Sequence, residues 1–114
     1  MKIEKFEDII SWKKAGELTI SIYKEFKNCH DFSFRDQIQR AAVSIMNNIA
    51  EGFERRTNKE FINFLYIAKG SCGEVRSMLY LAVKLKYMSP DNFQLNYKLS
   101  IEISKLISGL IKTL

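Results

Sequence analysis

Phe61, Leu65, Ala68, Cys72, Val75, Leu79 and Ala82 are spaced alternately four and three residues apart. That rhythm keeps successive side chains on one side of an α-helix over about six turns. A strand would need apolar residues at every second position, and a membrane span would need an unbroken apolar run. A four-three alternation is instead the seam expected where one helix packs nearly antiparallel on another. Thr57-Asn58-Lys59-Glu60 stands directly ahead of it as a T-x-x-E capping box, which predicts a helix from 58 to about 86.

Three further amphipathic stretches share the chain. In the first, about 8–28, Trp12, Ala15, Leu18, Ile22 and Phe26 recur on one helical face. Asn28-Cys29-His30-Asp31 ends it, and Ser33 with Asp36 resembles a capping box for the next. That next stretch, about 34–55, places Phe34, Ile38, Ala42, Ile45, Ile49 and Phe53 on one side. Gln37, Arg40, Ser44, Asn47, Asn48, Glu51 and Arg55 fall within an arc of roughly 120° on the other. The last, about 90–113, opens on Ser89-Pro90 as N-cap and first helical residue. Its expected stripe is Leu95, Leu99, Ile103, Leu106, Leu110 and Leu114, widened by Ile107 and Ile111. Short connections send each helix back beside its predecessor, so the predicted fold is all-α, an antiparallel up-down-up-down four-helix bundle in one domain, 1–114.

Composition agrees with this. In 114 residues there are only five Gly and one Pro, residues that loops and turns consume. Gly70 and Gly73 fall inside the third helix, where each costs about 1 kcal/mol relative to Ala. Close approach of Ala41, Ala42 or Ala50 would compensate; a kink is the alternative. Cys72 between them reads as a small core residue, and two distant cysteines read as reduced thiols of a cytoplasmic protein. Met1-Lys2-Ile3-Glu4-Lys5 lacks the apolar stretch of a secretory leader, and no run is long enough to cross a membrane. The net charge of +5 is read as dispersed and mainly solubilising, with an anionic partner as the other option.

The stretch from Gln37 to Phe53 reads Q-I-Q-R-A-A-V-S-I-M-N-N-I-A-E-G-F. It resembles the Q-x-x-R-A-x-x-S-I-x-x-N-I-A-E-G pattern of the four-helix-bundle family named for 23S rRNA intervening sequences. Phe6, Asp8 and Trp12 match near the start, and Arg56, Glu60-Phe61, Phe64-Leu65, Ala68, Gly70-Ser71 and Glu74 follow in order. The resemblance implies a homo-oligomer, usually a ring of five bundles. It also implies kinship with accessory proteins of diversity-generating retroelements, which bind nucleic acid and a reverse transcriptase. One departure is the first loop, Asn28-Cys29-His30-Asp31-Phe32-Ser33, where the family usually carries a proline.

Little in the chain points to catalysis. His30 is the one histidine and sits in a predicted loop, without a second to complete a metal or acid–base pair. There is no Gly-rich phosphate loop, nucleophile elbow or E-x-x-H pair, so no enzyme activity, cofactor or metal is expected. Glu51 and Glu74 read as hydrogen-bond partners of Arg40 or Asn48. The polar stripe Arg40, Ser44, Asn48, Glu51 is either a solvated face or a subunit contact; Ser and Asn, mediocre helix formers, favour the contact. Ile9, Ile20 and Tyr23 spread the apolar surface of the first helix over roughly 200°, wider than one core contact uses, which also suggests association. For RNA or DNA, Arg55, Arg56 and Lys59 form a basic turn that a ring would repeat. Lys13, Lys14 and Lys24 make a second basic strip, interrupted by Glu17. The expected function is a non-enzymatic homo-oligomeric binding protein with a nucleic-acid ligand; the rival is an adaptor ring that holds a polypeptide such as a polymerase.

Overall fold

The computed structural model describes residues 3–114. Met1 and Lys2, part of the N-terminal stretch read above for a leader, lie outside the described residues. Four helices follow a short 3-10 turn at Phe6–Asp8: α1 (Ile10–Glu25), α2 (Phe32–Phe53), α3 (Asn58–Lys84) and α4 (Pro90–Lys112). Among the described residues there is no strand.

The contacts run in opposite senses along every neighbouring pair. Thr19 of α1 donates to the carbonyl of Ala42 at 3.2 Å, and the later Phe26 meets the earlier Phe34 edge-on at 5.5 Å. Ser44 bonds Ser71 at 2.9 Å, while Phe53 meets Phe61. Cys72 Sγ donates to the Ser100 carbonyl at 3.1 Å, while Tyr80 meets Phe93. Ser21 donates to Asn96 at 2.7 Å, and Lys14 reaches Glu102 at 3.8 Å, which closes α4 back on α1. The helices therefore form an antiparallel square bundle, 43 Å long and about half as wide.

The predicted ends need local correction. Ile9 is extended, so α1 starts at Ile10 and the 3-10 turn ahead of it folds Phe6 edge-on to Trp12 at 5.2 Å. Ser33 and Asp36 lie inside α2, and its cap is Asp31, whose carboxylate accepts from the Phe34 amide at 3.1 Å. The Thr57–Glu60 box forms as expected, with Glu60 N–H donating to Thr57 Oγ1 at 3.1 Å. Ser89 caps α4 through the Asn92 amide, also at 3.1 Å. Past α3, Lys86 takes the left-handed conformation (φ 62) that glycine usually supplies, and the Tyr87 amide reaches back to the Ala82 carbonyl at 2.8 Å.

All seven residues of the α3 seam are buried, as are Ala15, Leu18, Ile22 and Phe26 of α1 and Phe34, Ile38, Ala42, Ile45 and Ile49 of α2. The α4 stripe is different. Leu95 is 69% exposed, and Leu99, Leu106 and Leu110 are only half-buried; the core line is Phe93, Asn96, Ser100, Ile103 and Ile107. A row that steps by four residues turns about 40° too far each time, so it spirals off the core. Asn96 and Ser100 can be buried because their polar atoms are paired. Asn96 donates to the Asn92 carbonyl at 2.9 Å and accepts from Ser21; Ser100 donates to the Tyr97 carbonyl at 2.7 Å.

The close helix approach expected at Gly70 and Gly73 is absent there. A Cβ at either would meet nothing within 4 Å, and α3 runs through both without interruption. The approach is at Gly52 of α2, where a Cβ would stand 2.6 Å from Phe64 Cβ and 3.0 Å from the Phe61 ring. That glycine lets two aromatic residues of α3 lie directly on the α2 backbone.

Urea unfolding followed by circular dichroism separates these positions. Leu79→Ala should cost about 2–5 kcal/mol, because its side chain is wholly buried, and Leu106→Ala distinctly less. Equal losses at both would contradict the face assigned to α4. Gly52→Ala should destabilise despite the better helix propensity of Ala, whereas Gly70→Ala should stabilise by up to about 1 kcal/mol. A stabilised Gly52→Ala would show that no close packing exists at that turn.

Candidate functional site

The polar stripe of α2 divides in two. Ser44 and Asn48 turn toward α3: the Ser44 hydroxyl meets that of Ser71 at 2.9 Å, and the Asn48 amide donates to the Ser44 carbonyl and hydroxyl at 2.8 and 2.9 Å. They form a polar network on the α2–α3 seam, within one chain. Arg40 and Glu51 point outward and are exposed. Glu51 binds Arg55 one turn on at 3.0 Å, and not Arg40 or Asn48 as expected. Glu74 is exposed on α3 and, among the described residues, has no side-chain hydrogen bond.

The α2–α3 turn brings Arg55, Arg56 and Lys59 together, but they are not equivalent. The Arg55 guanidinium lies over the Phe64 ring at 4.7 Å while it pairs with Glu51. Its charge is partly offset and its plane is occupied. Arg56 and Lys59 are exposed and enter no ion pair among the described residues. Beside them the end of the bundle opens into a cleft of about 940 Å³, lined by Ile3, Ile10, Phe53, Phe61 and Leu110 and by both charges, Arg55 and Arg56 against Glu4 and Asp8. On α1, Lys14 pairs with Glu102 of α4, and Lys13 and Lys24 are exposed.

Ile9 is buried in the core, against expectation, whereas Ile20 and Tyr23 are 59% and 46% exposed, so this chain leaves that part of the apolar surface of α1 uncovered. A second uncovered row lies beyond the sequence expectation: Ile67, Leu81 and Leu85 stand out from α3 on the side away from the core. The sequence does carry their signal, since all three fall more than about 100° from the seam on a helical wheel. Beside so regular a seam, three apolar residues at uneven intervals form no pattern of their own.

The ionisable groups show little sign of tuning for chemistry. Burial pushes the Cys72 thiol up to about 11, with Arg76 pulling it down by less, so it stays protonated at neutral pH. The Tyr87 phenol is raised by its 2.8 Å hydrogen bond to Asp31, which ties the α3–α4 loop to the cap of α2. His30 is exposed, with its ring 6.2 Å from that of Phe32. Among the described residues, no three His, Cys, Asp or Glu side chains converge, and no helix is long and apolar enough to cross a membrane.

No curated protein matches the chain. Among solved structures, a protein of unknown function from the S23 ribosomal protein family of Bacteroides thetaiotaomicron is similar, with a TM-score of 0.84 and 29% sequence identity. The match covers 90% of this chain and 99% of that one. The model of the 23S rRNA-intervening sequence protein family matches residues 7–109, which includes all four helices except the last turn of α4. The chain belongs to the 23S rRNA-intervening sequence protein family.

Proposed function

We propose that this chain is a non-catalytic binding protein that works as an assembly of several copies and takes RNA or DNA as its ligand. The observation that carries the reading is the apolar surface left over once the core is complete. Ile20 and Tyr23 on α1 and Ile67, Leu81 and Leu85 on α3 lie on two different flanks of the bundle. Two separate sticky flanks are what a head-to-tail ring requires, because each copy must offer one surface to each neighbour. Arg40 and Glu74, exposed on α2 and α3, supply opposite charges for the rim of such a contact.

Assembly changes the electrostatics. Arg56 and Lys59 are a modest pair on one copy, but a ring repeats them and the fields add. A family named for sequences that intervene in 23S rRNA is a fitting setting for such a ligand. The adaptor reading uses the same apolar rows for a polypeptide partner instead of a second copy. The two part on nucleic-acid retention, which depends on salt only in the first.

At micromolar concentration, light scattering should show one discrete oligomer, with five copies as the family resemblance implies. Tyr23→Ala and Arg40→Ala should each weaken it, and Leu81→Glu should dissociate it while the helical content is kept. A sharp monomer at that concentration would remove the basis for assembly. The oligomer should retain RNA with an affinity that falls as salt rises, by about 0.7 in the log–log slope for each phosphate neutralised on a single strand. An oligomer that retains no nucleic acid even near 50 mM salt would hand the function to the adaptor reading.

A further inference from the structure

The positive charge of this chain is segregated, not dispersed. Residues 1–57 hold ten Lys and Arg against nine Asp and Glu, whereas residues 58–114 hold eight against four. Most of the second group shares one face. Along α4, Lys98, Lys105 and Lys112 recur every seven residues on the side opposite the buried Asn96, Ser100, Ile103 and Ile107. Along α3, Lys69 and Arg76 repeat at the same interval, on the flank where Tyr80 meets Phe93 and Tyr97 of α4.

The antiparallel register aligns the two rows. Cys72 lies against Ser100 and Tyr80 against Phe93 and Tyr97, so Lys69 stands near the level of Lys105, and Arg76 near that of Lys98. Seven helical residues rise about 10.5 Å, and packed helix axes are roughly 8–10 Å apart. The cations therefore form a ladder with rungs about 10 Å apart.

Carboxylates are sparse on it: Asp91 stands one heptad before Lys98 at the start of the α4 row, and Glu102 lines the same groove as Lys98 and Lys105. Glu102 turns to α1 and pairs with Lys14, and Glu74 lies roughly 150° around α3 from Lys69 and Arg76. Among the described residues, none of the five cations of the ladder rows enters an ion pair. Like charges without partners repel one another, so the face works against the isolated fold and favours a polyanion laid across it. Aromatic rings accompany the charges: Tyr66 sits one turn before Lys69 and Tyr80 one turn after Arg76, and they are 56% and 48% exposed.

We propose that the α3–α4 face is the nucleic-acid-binding surface of this protein. A single strand lies along it, its phosphates on Lys69, Arg76, Lys98 and Lys105 and its bases against Tyr66 and Tyr80. A duplex would use the cations but leave the rings idle, whereas stacking on side chains needs unpaired bases. This rests on the nucleic-acid reading above and moves the main contact from the α2–α3 turn to the helix face.

The test uses the full chain and a fluorescein-labelled oligouridylate of about 20 nucleotides, titrated by anisotropy at several salt concentrations. Lys69→Gln, Arg76→Gln, Lys98→Gln and Lys105→Gln combined should lower affinity at least about tenfold and reduce the log–log salt slope by about 3. Tyr66→Ala should weaken binding and leave that slope unchanged, since stacking releases no counterions. Circular dichroism and light scattering of each variant keep loss of fold or assembly apart from loss of contact. If the fourfold variant binds as the parent does and Arg56→Gln with Lys59→Gln abolishes binding, the face is not the site, although the nucleic-acid reading stands. If the parent protein binds no oligouridylate at low salt, both fall. Tighter binding of poly-glutamate than of oligouridylate at equal salt would assign the face to an acidic polypeptide and overturn the proposal.

Discussion

The contact at Gly52 sets the geometry on which the rest of the bundle depends. Two helices reach core distance only where side chains allow it, and here α2 offers a bare backbone to Phe61 and Phe64 of α3. The Thr57–Glu60 capping box fixes where α3 begins, six residues after Gly52, so the turn between them has little freedom. From that anchored end the two helices diverge in sequence and stay in register. Phe53 meets Phe61, Ser44 meets Ser71, and at the far end Phe34 meets Tyr87. The α2–α3 pair is thus clamped by an aromatic contact at one end and a hydroxyl pair in the middle, and Tyr87 of the α3–α4 loop holds the other end of α2. The other two helices close the square against it.

The same clamp fixes which surfaces are left over. With the seven-residue seam committed to the core, α3 still has three other sides. One is taken by α2, one carries Lys69, Arg76 and two tyrosines beside α4, and one leaves Ile67, Leu81 and Leu85 uncovered. Apolar rows and cations therefore occupy different flanks, so the proposed assembly through the first would leave the second open to the proposed ligand. Such separation matters physically, because a cation buried in a subunit contact without a partner would cost far more than the contact gains.

Legibility in the sequence follows the strength of the periodic signal. The α3 seam and its capping box are plain, since seven apolar residues in a four-three rhythm fit a packed helix and neither a strand nor a loop. The α4 core line is hidden because Asn96 and Ser100 look like surface residues; their burial is tolerable because they donate to the Asn92 and Tyr97 carbonyls of α4 itself, and Asn96 also accepts from Ser21 of α1. The α2 cap is ambiguous between Ser33 and Asp31 because hydroxyl and carboxylate caps are interchangeable in sequence; Asp31 takes the role with its second oxygen held by Tyr87. Gly52 is no more conspicuous than Gly70 and Gly73, since nothing local distinguishes a glycine that faces an aromatic ring from one that faces solvent. Of the candidate site, the α2–α3 turn is visible as a run of neighbours, but the pairing of Arg55 with Glu51 and Phe64 is not. The α3–α4 ladder pairs residues as distant as Lys69 and Lys105, 36 positions apart, and needs the register of two helices before it can be seen.

The most direct measurement is covalent labelling of lysine amines on the assembled protein, with and without saturating oligouridylate, read residue by residue by mass spectrometry. The expected result is protection of Lys69, Lys98 and Lys105 by the ligand, with Lys13, Lys24 and Lys59 labelled as in the free protein. Protection confined to Lys59 and the α1 lysines, with Lys98 and Lys105 as reactive as before, would contradict a nucleic-acid surface built from α3 and α4.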